Sequence, residues 1–196
     1  MQQAYQTKLI KIVNLLGTNI GAWQNFLRSI SLNFEVLEPT QVKAGDIVLL
    51  PGVSHANYYH TALEVLRPLL EKKCIYVIGV CAGLQILCRF NEENNKTGFN
   101  LIDANTVQLS PKFKYYNTGW RTVRGDDFFF NHSYGILISK GFDTNGLKRI
   151  ETSNYFGNDY LIEISASNFL GFQYHPELSG NSGKQRFLEI FGDLNG

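Results

Sequence analysis

The sequence is poor in the features that would commit it to a membrane, a disulfide framework or a polyanionic partner. Its longest apolar run, residues 75–82, is far too short to cross a bilayer. Charged residues are only 18% of the chain and nearly cancel to a net +1, which points to no nucleic acid and no membrane surface as partner. Residues 1–7 are polar and are not read as a signal peptide. The 3 cysteines, Cys74, Cys81 and Cys88, are odd in number and crowded into one short stretch. That usage fits reduced thiols in the cytoplasm. Without a CxxC pair or a Cys/His cluster, no metal site is expected. Repeats, low-complexity tracts and linkers are also lacking, so residues 1–196 are expected to form one domain.

What is present is a core-forming composition, 44% apolar, with a strong pattern in its first half. Residues 9–16, 33–38, 46–50 and 75–80 read as strands. Between them, Ile20, Trp23, Leu27 and Ile30 fall on one helical face, with Thr18 or Asn19 as N-cap, and residues 60–71 form a second helix. The strands lack apolar/polar alternation, as expected when both faces are buried. The pattern implies an α/β, flavodoxin-like domain with a mostly parallel central sheet flanked by helices. From residue 105 short strands and turns take over, at 106–109, 119–123, 128–130, 135–139, 160–165 and 169–174, and read as antiparallel additions. Residues 91–96 read as an exposed polar loop, and 183–191 as a closing helix.

The most informative stretch is Gly79-Val80-Cys81-Ala82-Gly83, where the fourth strand meets a helix expected over 82–90. This is a nucleophile elbow with cysteine at its apex. Flanking glycines let neighbouring chain pass close by, and the helix N-terminus favours a thiolate. A nucleophilic thiol needs a base, and the base an orienting group. His175 ends an apolar strand at the edge where active sites of parallel sheets lie, and Glu177 follows two residues later. Cys81, His175 and Glu177 suit acyl transfer through a thioester. That reaction needs an oxyanion hole, for which the N–H groups of Ala82 and Val53 are candidates. Gly52 would let the peptide before Val53 rotate inward. No cofactor is expected. His132 lies between two short strands and borders the expected pocket; His55 is placed on the surface.

Together these residues resemble the class I glutamine amidotransferases. Gly79-Val80-Cys81-Ala82-Gly83-Leu84-Gln85 is similar to that family's nucleophile box, and Gln173-Tyr174-His175-Pro176-Glu177 to its His-Pro-Glu box. Pro51-Gly52-Val53, Asn117-Thr118-Gly119-Trp120 and Phe130-Asn131-His132-Ser133-Tyr134 further resemble the glutaminase subunits of imidazole glycerol phosphate synthases. The resemblance implies that Cys81 attacks the side-chain amide of glutamine, and that Gly52, Gln85, His132, Ser133 and Tyr134 hold the substrate. It also implies ammonia delivery to a (β/α)8-barrel synthase docked near Trp120, Arg121 and Leu178. Four departures stand out: Ala82 replaces the family's Leu, Ser54 its Gly, Arg121 its Asn and Leu178 its Lys. The last two fall on the expected docking face, where an ion pair often sets partner choice. They leave open a paralogous amidotransferase serving another pathway, such as amidation of a surface-polysaccharide sugar. A pyridoxal phosphate synthase glutaminase ranks lower, because Gly52-Val53-Ser54-His55 departs from its pattern. A non-catalytic module on the same fold is the reading from a different class.

Overall fold

The computed structural model describes residues 8–110 and 115–192. The polar segment 1–7 lies outside the described residues. The first half alternates strand and helix: β1 (Leu9–Val13), α1 (Ile20–Ser29), β2 (Asn33–Leu37), β3 (Ile47–Leu50), α2 (His60–Glu71), β4 (Tyr76–Val80) and α3 (Ala82–Gln85). Asn19 caps α1, its side chain accepting from the Ala22 N–H at 3.1 Å, while the Thr18 hydroxyl donates to the Leu15 carbonyl. Among the described residues nine strands follow: β5 (Cys88–Asn91), β6 (Lys96–Thr97), β7 (Ile102–Gln108), β8 (Asn117–Val123), β9 (Asp126–His132), β10 (Tyr134–Leu137), β11 (Leu147–Tyr155), β12 (Asn158–Ala166) and β13 (Phe169–Phe172), before α4 (Gly180–Gly192).

The main sheet runs β2-β1-β3-β4-β13-β12-β10-β7-β5-β6, with β11 on β12. Its first five strands are parallel and follow a doubly wound order, with β13 in fifth place. The expectation that residues 169–174 belong to the antiparallel additions is therefore corrected at one edge. β13 pairs parallel with β4 and antiparallel with β12. This puts the C-terminal ends of β3, β4 and β13, hence Pro51, Cys81 and the His175 turn, along one edge of the sheet. β8 and β9 form a separate two-stranded ribbon.

Adjacent residues of the central strands feed opposite layers of core, as a period of two requires. Val48, Leu50 and Val77 face the layer with Leu66 and Leu70 of α2. Leu49, Ile78, Val80 and Phe172 face Trp23 and Leu27 of α1 and Phe187 of α4. Each fully buried side chain of this kind contributes roughly 1.5–3 kcal/mol of transfer free energy.

Three further expectations are revised. The helix after the elbow stops at Gln85 instead of reaching residue 90, and Cys88–Asn91 is strand β5. The carbonyls of Ile86, Leu87 and Cys88 accept N–H groups from residues 99–102, so chain pairing replaces the helical ladder. Gly98 permits that approach, since a Cβ there would sit 2.2 Å from the Cys88 carbonyl oxygen. The polar loop at 91–96 is not wholly exposed: Asn91 is buried and Glu93 half-buried. Finally, β11 is a strand that the sequence pattern does not announce.

Candidate active site

Cys81 sits where β4 turns into α3, at φ 51° and ψ −112°. An L-residue there carries strain on the order of 1–3 kcal/mol. The geometry is held from both sides. The Cys81 N–H donates to the Phe172 carbonyl at 2.7 Å, and the Cys81 carbonyl accepts from Leu84 and Gln85 at 3.1 and 3.0 Å. A Cβ on Gly79 would meet the Gly83 carbonyl oxygen at 2.7 Å, so glycine is required for the chain to fold back. With four residues, α3 adds little macrodipole. What remains is its first turn, where the Ala82 N–H has no intrahelical acceptor.

His175 leaves β13 two residues past Tyr174's neighbour Gln173 and lies against the same edge. Its Nδ1 is 2.8 Å from Oε1 of Glu177, whose side chain is almost wholly buried. Nδ1–H therefore donates to the carboxylate, leaving Nε2 for the thiol side. Nε2 is buried without a hydrogen-bond partner among the described residues. Burial would lower the pKa of His175, but the Glu177 carboxylate and the neighbouring Cys81 outweigh it and push it up to about 10. This favours the imidazolium form of His175 beside the Cys81 sulfur. The Cys81 thiol is itself placed to donate to the Asn131 carbonyl, with Sγ 3.6 Å from the oxygen. The two features act in opposite directions on the same proton. Gly52 packs against both residues: a Cβ there would be 2.9 Å from Cε1 of His175 and 3.4 Å from Cβ of Cys81.

A cavity of about 650 Å³ opens over the thiol. Of the residues expected at the site, Val53, Cys81, Ala82, Gln85, His132, Ser133 and Tyr134 line it. Gln85 is buried, and its amide nitrogen donates to the Tyr134 carbonyl at 2.7 Å and to Gln173 at 3.1 Å. It thereby holds the wall formed by residues 133–134. His132 places Nδ1 2.7 Å from the same carbonyl and Nε2 2.9 Å from Nδ2 of Asn117. The network assigns the tautomer: Nδ1–H donates, Nε2 accepts. Burial, with His175 and Arg121 nearby, pushes the pKa of His132 down to about 4, so the ring is neutral.

Sequence reasoning missed several residues that the fold brings here. Glu93, from the turn after β5, lines the cavity together with Gln108, Tyr115, Tyr116 and Asn131. Its carboxylate accepts from the Ala56 N–H at 3.1 Å. Tyr59 donates its hydroxyl to the Pro51 carbonyl, fixing one end of the segment that carries Gly52 and Val53. The residues expected on a docking face stand apart from the cavity. Trp120 is 54% and Leu178 40% exposed, and the exposed Arg121 bonds back to the Trp120 carbonyl. His55 is exposed at the cavity rim. Cys74, Cys81 and Cys88 are all free, and the described residues contain no cluster of three or more groups suited to a metal ion. No described helix is long and apolar enough to cross a membrane.

A strained cysteine on a strand–helix turn, faced by a His–Glu pair at the same sheet edge of a doubly wound fold, has the arrangement that thiol-dependent acyl transfer calls for. The chain belongs to the class I glutamine amidotransferase family, whose model matches residues 18–193. Among curated proteins it is similar to the imidazole glycerol phosphate synthase subunit HisH of Bacteroides fragilis, 27% identical over 92% of this chain and 99% of that one. The HisH proteins of Idiomarina loihiensis (30% identical; 81% and 87% covered) and Blochmanniella floridana (30% identical; 92% and 99% covered) are also similar. The fold matches that of a crystallised glutamine amidotransferase (TM-score 0.64, 16% identical, 93% and 98% covered). It likewise matches PurLQS from Thermotoga maritima (TM-score 0.64, 16% identical, 95% and 99% covered).

Proposed function

We propose that this chain is a single-domain glutaminase subunit, residues 1–196, that hydrolyses glutamine in the cytoplasm and delivers the ammonia to a (β/α)8-barrel synthase subunit, as in imidazole glycerol phosphate synthase of histidine biosynthesis. The observation that carries the reading is Cys81 at a strained elbow beside the buried His175–Glu177 pair, beneath a cavity of substrate size.

In this reading the Cys81 sulfur attacks the glutamine side-chain carbonyl while the proton it shares with His175 is held on Nε2 of the imidazolium. The oxyanion is stabilised by the N–H groups of Ala82 and Val53. The imidazolium returns the proton to the departing nitrogen, releasing ammonia and leaving a thioester. Water then attacks, His175 taking its proton and passing it to the sulfur as glutamate leaves. Glu177 keeps Nδ1–H engaged throughout. Gly52, Gln85, His132, Ser133 and Tyr134 shape and hold the glutamine, and Glu93 offers a carboxylate to its α-ammonium. Rotation of the peptide before Val53 on partner docking would complete the oxyanion hole only in the assembled enzyme.

Arg121 and Leu178 favour a second reading of the acceptor, in which a paralogous barrel replaces the histidine-pathway partner across Trp120, Arg121 and Leu178. The test is glutamate release by the purified chain with and without an imidazole glycerol phosphate synthase barrel subunit. The first reading expects strong activation by that barrel. Hydrolysis untouched by it supports the paralogue, and no hydrolysis with any co-purifying barrel contradicts both.

A further inference from the structure

Strand β9 runs past both members of the reactive pair. Phe129 uses its backbone on the side away from β8: its carbonyl accepts the His175 N–H at 2.8 Å, and its N–H donates to Oγ of Ser179 at 2.9 Å. The Ser179 hydroxyl in turn donates to the His175 carbonyl at 2.6 Å. One buried hydroxyl thus closes a ring of three hydrogen bonds around the backbone of His175. Two residues along β9, on the same edge, the Asn131 carbonyl faces the Cys81 sulfur. The strand therefore works as a template, touching the base at Phe129 and the nucleophile at Asn131.

The same strand has an outer face. Phe129 lies opposite Trp120 in the β8–β9 register, and because its backbone groups point toward His175 the two residues form a pair without mutual hydrogen bonds, with side chains close. Their rings meet edge-on at 5.9 Å. Ser179 is 2% exposed and its neighbour Gly180 adopts φ 58°, so the turn that follows His175 is shaped to bring this hydroxyl inward.

We propose that Ser179 is a positioning residue, which clamps the His175 turn to β9 so that one strand sets the distance between the imidazole and the Cys81 sulfur. It touches neither substrate nor thiol and acts only through the backbone of His175 and Phe129. The proposal rests on the glutaminase reading for its kinetic consequence, but the pairing of Cys81 with His175 is measurable without glutamine.

The experiment compares the parent with Ser179→Ala and the near-isosteric Ser179→Cys. Two readings are taken: kcat and KM for glutamine in the partner-activated enzyme, and the rate of Cys81 alkylation by iodoacetamide against pH, followed by mass spectrometry on the chain itself. Ser179→Ala is expected to lower kcat by about 100-fold, the scale of an ångström-level misplacement of a catalytic group, with KM unchanged. Its alkylation midpoint is expected to move to higher pH, and Ser179→Cys is expected to lie between. Should Ser179→Ala fail to fold, Ser179→Cys decides by the same readings. Folded variants that keep the parent's kcat and alkylation profile, or that raise KM alone, overturn the proposal. A parent that does not hydrolyse glutamine with its partner contradicts the glutaminase reading, while the alkylation profiles still decide the role of Ser179.

Discussion

A methyl group on Gly52 would lie 2.9 Å from Cε1 of His175, closer than carbon atoms pack without something shifting. The neighbour forced to move is the imidazole. Gly52 is not in the left-handed backbone region, so Gly52→Ala should leave the fold intact while turning His175 away from Cys81. The expected result is a loss in kcat of about 100-fold or more, with circular dichroism unchanged. Full activity in Gly52→Ala would show that this close approach is not required.

Glu177 raises the basicity of His175 by its charge and by its hydrogen bond. Glu177→Gln keeps the shape and removes the charge, so the pKa of His175 should fall and the imidazolium beside Cys81 be lost. The pH midpoint of Cys81 alkylation should rise, and glutamine turnover should drop by up to about 10⁴-fold, the cost of replacing the orienting carboxylate by its amide in a serine triad. An unchanged alkylation profile would remove Glu177 from the pair.

Glu93 brings a carboxylate to the cavity wall from the turn that follows β5. If it receives the α-ammonium of glutamine, Glu93→Gln loses a charged hydrogen bond worth about 1.5–3 kcal/mol. KM should then rise by about 10–150-fold with kcat retained, the signature of lost uniform binding. A fall in kcat with KM unchanged would place Glu93 elsewhere in the scheme.

His132 gives a pH-dependent term in stability. Burial lowers its pKa from 6.5 to about 4, so between those values the unfolded chain binds a proton that the native ring does not. Stability from this group is present above pH 6.5 and is lost as pH falls through about 4. The thermal midpoint of the parent should therefore fall more steeply over that window than that of His132→Asn. Parallel slopes would mean that His132 does not carry the term.

The first half of the fold was legible because its strands are apolar runs bounded by turn residues and its helices show clear faces, as Trp23 and Leu27 do. The elbow and the His-Pro-Glu turn were legible because their chemistry is local. Residues 86–90 read as helix from the sequence because Ile86, Leu87 and Cys88 suit either structure. Pairing with residues 99–102, admitted by Gly98, decided it, and that information lies outside any local window. β11 escaped because Lys148, Arg149, Thr152, Ser153 and Asn154 give it no apolar period; its register comes from β12. Glu93 and Ser179 escaped for a related reason. A Glu in a polar loop and a Ser after a turn are commonplace until the fold brings one to the cavity and the other to the backbone of His175.

The most direct measurement is mass-spectrometric mapping of the chain, with its barrel partner present, after exposure to a glutamine-mimicking diazoketone. Cys88 serves as an internal control, since burial pushes its thiol up to about 12. The account predicts a single adduct on Cys81, prevented by excess glutamine and lost with Cys81→Ala together with glutamate release. An unlabelled Cys81, or a Cys81→Ala variant that still draws ammonia from glutamine, would contradict it.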